Sequence, residues 1–201
     1  TGSTTQTDWP VYHGTDGFQT GYSPDKGPSE RKIAWRVPKG NFWNAKPVIE
    51  DGRVYVASPG TDVIAYCLNE KTGKVIWRSS DWTDGAQYAS VVPAELNGQR
   101  QFIQLTQKTL AGVSARDGSV LWRNAWPGRT AVIPTPIVHR NEVYISSGYG
   151  AGCRKITVGG ANEVTEDYSN KNMKNKHGGM LLLKGHIYGY SDGRGGTCQS
   201  L

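Results

Sequence analysis

Side chains able to hold a ligand recur at one kind of place in this chain, just ahead of a run of strand-forming residues. Trp43, Asn44 and Lys46 lead into PVI (47–49), and Gln87 and Tyr88 lead into SVVPAEL (90–96). Thr135 opens PTPIV (134–138), and Lys176 and His177 lead into MLLL (180–183). An ammonium, amides, a phenol, a hydroxyl and an imidazole gathered around one axis bind a polar or anionic ligand through convergent hydrogen bonds. They do not form a nucleophile, base and orienting group, because no motif places a Ser with a His and an acid. No catalytic residue and no metal site is therefore assigned. His177, in KHGG, reads either as a base or ligand or as an imidazole satisfied by turn carbonyls. His13, His139 and His186 share no ligand spacing with it. Asp192 lies in the Gly-rich YSDGRGG without a second acid at calcium-loop spacing. GYGAG (148–152) and GRGG (193–196) lead into no helix, which removes the usual reason for a Gly-rich loop to hold phosphate.

The elements that position these residues are legible as a repeat. AWR (34–36), IWR (76–78) and LWR (121–123) each close an apolar run, at spacings of 42 and 45 residues. The last two end matching hairpins, EKTGKVIW (70–77) and ARDGSVLW (115–122), in which Gly73 and Gly118 precede Trp77 and Trp122 by four positions. A period of about 40–45 residues built from short strands marks a β-propeller blade. The predicted fold is all-β, a propeller of four-stranded blades with about four blades present. Trp35, Gly73, Trp77, Gly118 and Trp122 form its structural, tryptophan-docking motif, and the indoles are expected to pack blade against blade.

Cys67, Asn69, Gly73 and Trp77 align with Gly112, Ser114, Gly118 and Trp122, and Cys198 falls where Cys67 does. A small buried side chain is expected at that place, and a free thiol meets the need. Cys153 has no such account and stands as a candidate reactive thiol. The third blade, ending in CRKITV (153–158) and NEVTEDY (162–168), lacks the Gly–Trp hairpin. The fourth runs through HIYGYS (186–191) to TCQSL (197–201), without a fourth strand. IAWRVP (33–38) is unpaired at the other end, and it is expected to complete that last blade, which would cover two exposed edges. The chain thus divides into an N-terminal tail and lead-in segment, 1–30, and propeller blades, 31–201. The blades are read as part of a longer propeller, a half-ring, or a small closed ring.

Composition narrows the classes. The 201 residues carry a net charge of +6. The basic residues cluster in 26–39 and 171–177, most simply as solvated loops, and nucleic acid is not an expected partner. No apolar run reaches the roughly 18 residues of a spanning helix. Three scattered cysteines exclude a disulfide framework, a zinc knuckle and a haem attachment motif.

CLNEKTGKVIW and GVSARDGSVLW resemble the pyrroloquinoline-quinone-type (PQQ-like) propeller repeat, A-x-D-x-x-T-G-x-x-x-W. Longer stretches, among them WPVYHGTDG (9–17) and NKHGGMLLLKGHIYGYSDG (175–193), look like exported bacterial propeller proteins common in planctomycetes. The resemblance implies a periplasmic or secreted protein, usually of seven or eight blades. Quinoprotein alcohol dehydrogenases of the same superfamily hold the quinone over a Trp floor with an adjacent Cys-Cys disulfide and a calcium. Neither the adjacent cysteines nor a matching set of acids is present here. Another branch resembles a noncatalytic outer-membrane assembly lipoprotein that scaffolds protein partners. The reading is a noncatalytic extracytoplasmic binding or scaffolding module with no cofactor. Its expected partner is a protein or a small polar or anionic ligand, and a homodimer completing an eight-bladed ring is a further expectation. The alternative is a PQQ- and calcium-dependent oxidoreductase, or a fragment of one.

Overall fold

Alternating apolar residues punctuated by Asp-Gly, Asn-Gly and Lys-Gly pairs dictate a succession of hairpins, and the computed structural model shows them. It describes residues 29–30, 32–36, 47–57, 65–85, 87–177, 179–193 and 195–201. Among these there is no helix, and strands are arranged in four antiparallel sheets taken in chain order. The first sheet contains β1 (Val48–Glu50), β2 (Arg53–Ala57), β3 (Ala65–Asn69) and β4 (Val75–Arg78). The second has β5 (Val92–Leu96), β6 (Gln99–Leu105), β7 (Thr109–Ser114) and β8 (Val120–Ala125). The third has β9 (Ile137–His139), β10 (Glu142–Ser147), β11 (Gly152–Val158) and β12 (Val164–Asn170). The fourth has three strands, β13 (Met180–Leu183), β14 (His186–Ser191) and β15 (Gly195–Ser200). In each the strands neighbour in sequence order, the up-and-down arrangement of a propeller blade. Asp51-Gly52, Asn97-Gly98 and Lys184-Gly185 all carry positive φ at both positions, the geometry that tight hairpins require.

The blades are variations on one design. A β-bulge follows Cys67 in the first, Gly112 in the second and Lys155 in the third, always between the third and fourth strands. At that place Cys67 faces Trp77, Gly112 faces Trp122, and Lys155 faces Tyr168 across the ladder. The bulge re-aims the aromatic ring out of its own sheet. The sheets stack through apolar faces. Tyr55, Cys67 and Trp77 of blade 1 meet Phe102 and Val113 of blade 2 in one cluster, with the Tyr55 and Phe102 rings 3.9 Å apart. Ile103, Leu105, Leu110 and Trp122 meet Val143, Ile145, Ile156 and Val158 between blades 2 and 3. Tyr144 and Cys153 meet Met173 and Ile187 between blades 3 and 4.

Three expectations are corrected. Residues 32–36 are not a strand and do not complete the last blade, and among the described residues β15 has no outer neighbour, consistent with a partial propeller. Trp35 instead lies on the turn of blade 1, its Nε1 donating to Glu70 O at 2.6 Å. Cys67 is buried as expected, but Cys198 is exposed, because no fourth strand covers it. Cys153 is not an accessible thiol; it is buried, with Sγ 3.1 Å from Asn170 Oδ1.

Candidate functional site

The Trp motif decides how rigidly the blades hold the loops between them. Trp77 Nε1 donates to Ala115 O of blade 2 at 3.1 Å, the counterpart of the Trp35–Glu70 bond. A Cβ on Gly118 would lie 2.5 Å from the Trp77 ring, and one on Gly73 would lie 2.6 Å from Trp35. These two glycines are therefore demanded both by positive φ and by the indole resting on them. Trp122 breaks the pattern. Its Nε1 donates to Gln101 Oε1 of its own blade at 2.6 Å, and the turn position matching Gly73 and Gly118 in blade 3, with positive φ and the same backbone bonds, is Asn162.

Against this frame the lead-in segments take their places. Tyr88 N donates to Val132 O at 3.0 Å, Val132 N donates to Gln87 Oε1 at 3.5 Å, and Ser90 N donates to Thr135 Oγ1 at 3.3 Å. Gln87, Tyr88 and Thr135 are thus brought together where the approaches to β5 and β9 run side by side. Tyr88 remains 48% exposed, which leaves its phenol available to a partner. His177 is exposed at the approach to β13, and the structure joins it to none of the three through a hydrogen bond among the described residues. Beside it, the Lys176 ammonium lies 4.4 Å over the Tyr149 ring and 4.0 Å from Asp192 Oδ2. Trp43, Asn44 and Lys46 lie outside the described residues.

Two buried amides that the sequence reading missed set these approaches. Gln104 Nε2 donates to Ala89 O at 3.0 Å and Leu105 O at 2.9 Å, pinning the segment that carries Tyr88. Asn175 Nδ2 donates to Gly179 O at 2.9 Å and Tyr190 O at 3.1 Å, pinning the segment that carries Lys176 and His177. Their place in or beside apolar runs is the one signal that could have found them, since buried amides are usually hydrogen-bonded. Asp84, on the approach to β5, accepts from Thr106 Oγ1 at 2.9 Å. Burial pushes its pKa up, but bonds from Thr109, Trp82 and Thr106 outweigh that and hold it below the ordinary carboxylate value.

Several acids of the blades are held in ion pairs. Glu50 pairs with Arg100 across the seam of blades 1 and 2. Lys155 sits 2.5 Å from Glu142 and 3.8 Å from Asp167, and Arg154 Nε lies 3.1 Å from Glu166. Among the described residues no three His, Cys, Asp or Glu side chains converge on a point that would hold a metal ion. A gap between blades 1 and 2, lined by Tyr55, Trp77, Val91, Phe102 and Val113, has a volume of about 10 Å³, room for about one water and no cofactor. Exposed polar groups on the approaches to the inner strands, Tyr88 and His177 among them, are the candidate binding groups.

Sheet order and blade stacking define the fold, a β-propeller, and the match to a PQQ-repeat family model makes it PQQ-type. The chain belongs to the family described as outer membrane protein assembly factor BamB, whose profile matches residues 27–198. The structure resembles BamB from Moraxella catarrhalis with a TM-score of 0.63 and 14% identity, over 83% of this chain and 48% of that one. It resembles quinohemoprotein alcohol dehydrogenase from Comamonas testosteroni with a TM-score of 0.60 and 18% identity, over 84% of this chain and 28% of that one. A tetrathionate hydrolase of Acidithiobacillus ferrooxidans is 27% identical over 130 residues, 52% of this chain and 24% of the hydrolase. The chain thus spans less than half the length of each of these proteins. No helix among the described residues is long and apolar enough to cross a membrane.

Proposed function

We propose that the chain is a noncatalytic, extracytoplasmic propeller module that binds a protein partner through the approaches to its inner strands. The observation that carries this reading is a division of labour. The exposed Tyr88 phenol and His177 imidazole and the half-buried Gln87 and Thr135 stand on pinned backbone, while Glu50, Glu142, Glu166 and Asp167 are held in ion pairs across a seam or within blade 3. Pinned, exposed polar groups bind without ordering cost, the condition for a specific recognition surface. The family description, an assembly factor of the outer membrane, supports both a protein partner and an extracytoplasmic location. The net charge of +6 favours an acidic segment on that partner.

A photo-reactive phenylalanine analogue at position 88 tests the reading. Exposed to extracytoplasmic extract of the source cells, it is expected to cross-link one dominant protein, and His177→Ala is expected to lower the yield. Cross-linking that is diffuse and unchanged by His177→Ala contradicts it. The alternative, a PQQ- and calcium-dependent oxidoreductase or a portion of one, is supported only by the likeness of fold to the dehydrogenases.

A further inference from the structure

The link between blades 3 and 4, residues 171–177 (KNMKNKH), belongs to no sheet yet is fastened along its length. Two buried hydroxyls hold its backbone, one from each blade. Ser146 Oγ of β10 lies 3.1 Å from Met173 O and accepts from Asn175 N at 3.0 Å. Ser191 Oγ of β14 accepts from Lys174 N at 3.0 Å and lies 3.3 Å from Asn172 O. Asp192 N adds a bond to Lys174 O at 2.9 Å. The Met173 side chain fills the seam among Tyr144, Cys153 and Ile187. A Cβ on Gly148 would lie 2.9 Å from Lys176 Cγ, so glycine there lets the turn of blade 3 rest against the link.

Burial alternates along this link as it does in an extended chain. Met173 and Asn175 are fully buried, while Lys174 and Lys176 are half-buried and Lys171 and His177 are exposed. Two residues of extended chain span about 6.5–7 Å, so Lys174 and Lys176 stand at the spacing of alternate side chains on a neighbouring extended peptide. Lys176 has Asp192 Oδ2 at 4.0 Å and the Tyr149 ring at 4.4 Å. No ion pair among the described residues engages Lys171 or Lys174. The basic cluster that reads from sequence as a solvated loop is therefore a row of cations on fixed backbone, and its backbone loses little freedom on binding. Nucleic acid would add bases stacked on open aromatic faces, but the Lys176 ammonium already covers one face of the Tyr149 ring beside the row.

We infer that the link binds an extended acidic peptide segment of the partner, laid along residues 171–177 with carboxylates at alternate positions against Lys174 and Lys176. A further carboxylate meets Lys171 at the end of the row. Charge-assisted bonds to fixed ammonium groups supply the recognition, and the spacing of the cations sets the register of the segment. Asp192 competes with the segment for Lys176, so it tempers the affinity. The inference rests on the reading of the strand approaches as a protein-recognition surface, and it names the chemistry recognised at the end of that surface that carries His177.

Fluorescence anisotropy of the purified chain with a labelled peptide of about ten residues alternating Glu and Thr, at roughly 0.15 M salt, tests the inference. Saturable binding is expected. Lys171→Glu combined with Lys174→Glu is expected to weaken it at least about tenfold, and Asp192→Asn to strengthen it about two- to fivefold. A gain of affinity in Asp192→Asn does not arise from a misfolded chain. Lys71→Glu combined with Lys74→Glu, the same charge change on the exposed turn of blade 1, is expected to alter binding less than about twofold. No saturable binding, an equal loss from the two double substitutions, or an oligothymidylate of equal charge bound as tightly each overturns the inference. A dominant cross-link at position 88 that persists in Lys171→Glu with Lys174→Glu also overturns it, while leaving the protein-partner reading in place.

Discussion

The seam between blades 1 and 2 and the seam between blades 2 and 3 solve one packing problem in different ways. At the first, Trp77 reaches forward onto Gly118 and bonds Ala115 O. At the second, Trp122 stays within its blade on Gln101, and the forward bonds come from other residues. Asn97 Nδ2 donates to Val158 O at 3.0 Å and Gly159 O at 2.6 Å, and Asn141 Nδ2 donates to Asn97 Oδ1 at 2.6 Å. Val158 occupies in blade 3 the place of Glu70 and Ala115, three residues beyond the bulge position. Arg154 adds bonds to Asn124 Oδ1 at 2.7 Å and Ala125 O at 2.5 Å, and lies 5.5 Å over the Trp126 ring. The difference teaches that the Trp motif is a property of two blades, not one. An indole docks forward only where the next blade offers a residue without a Cβ.

Substitutions can break this contrast. Trp77→Ala carries the largest expected effect, about 3–5 kcal/mol in denaturant unfolding, because it empties a buried seam and strands a carbonyl. Gly118→Ala should cost about 2–4 kcal/mol, combining positive-φ strain with the collision against Trp77. Asn162→Gly, at the matching turn position of the second seam, should change stability by no more than about 1 kcal/mol, since Asn already tolerates positive φ. Equal effects at 118 and 162 would show that the two seams do not differ as described. Asn97→Ala is expected to cost about 1–2 kcal/mol through lost amide bonds, and Asn97→Asp a similar amount, since the acid cannot donate to Val158 O.

The smallest effect concerns the third seam, where Tyr168 stands in for Trp and donates through its OH to Ser200 O at 2.9 Å. Burial, then the negative charges of Cys153, Asp167 and Glu142, push its pKa up to about 12. A phenol whose folded pKa is raised stabilises the fold fully below its ordinary value of about 10 and loses that contribution as pH climbs through about 12. Stability measured from pH 9 to 12 should therefore fall, and Tyr168→Phe should make the fall shallower. An unchanged alkaline profile in Tyr168→Phe would remove Tyr168 from the seam's account.

Much of the architecture was legible because it rests on local rules. Asp51-Gly52 and Asn97-Gly98 announce tight hairpins, and Gly118 with Trp77 announces a seam at fixed offset. The behaviour of Trp122 was not legible, since it depends on Asn162 and on Asn97, residues far away in sequence with no motif of their own. Lys155 and Tyr168 likewise replace a small residue and a Trp with a charged and a phenolic side chain, and only register shows the equivalence. For the site, the approaches holding Gln87, Tyr88, Thr135 and His177 were found from strand spacing. The amides of Gln104 and Asn175 that pin those approaches were not, because their partners are backbone carbonyls, which sequence does not display.

The account's central claim is that this propeller binds without redox chemistry. Native mass spectrometry of the intact chain, incubated with pyrroloquinoline quinone and calcium in excess, addresses it most directly. The account predicts no stoichiometric quinone adduct and no calcium retained after desalting. One quinone and one calcium held per chain would contradict it and turn the protein into a quinoprotein.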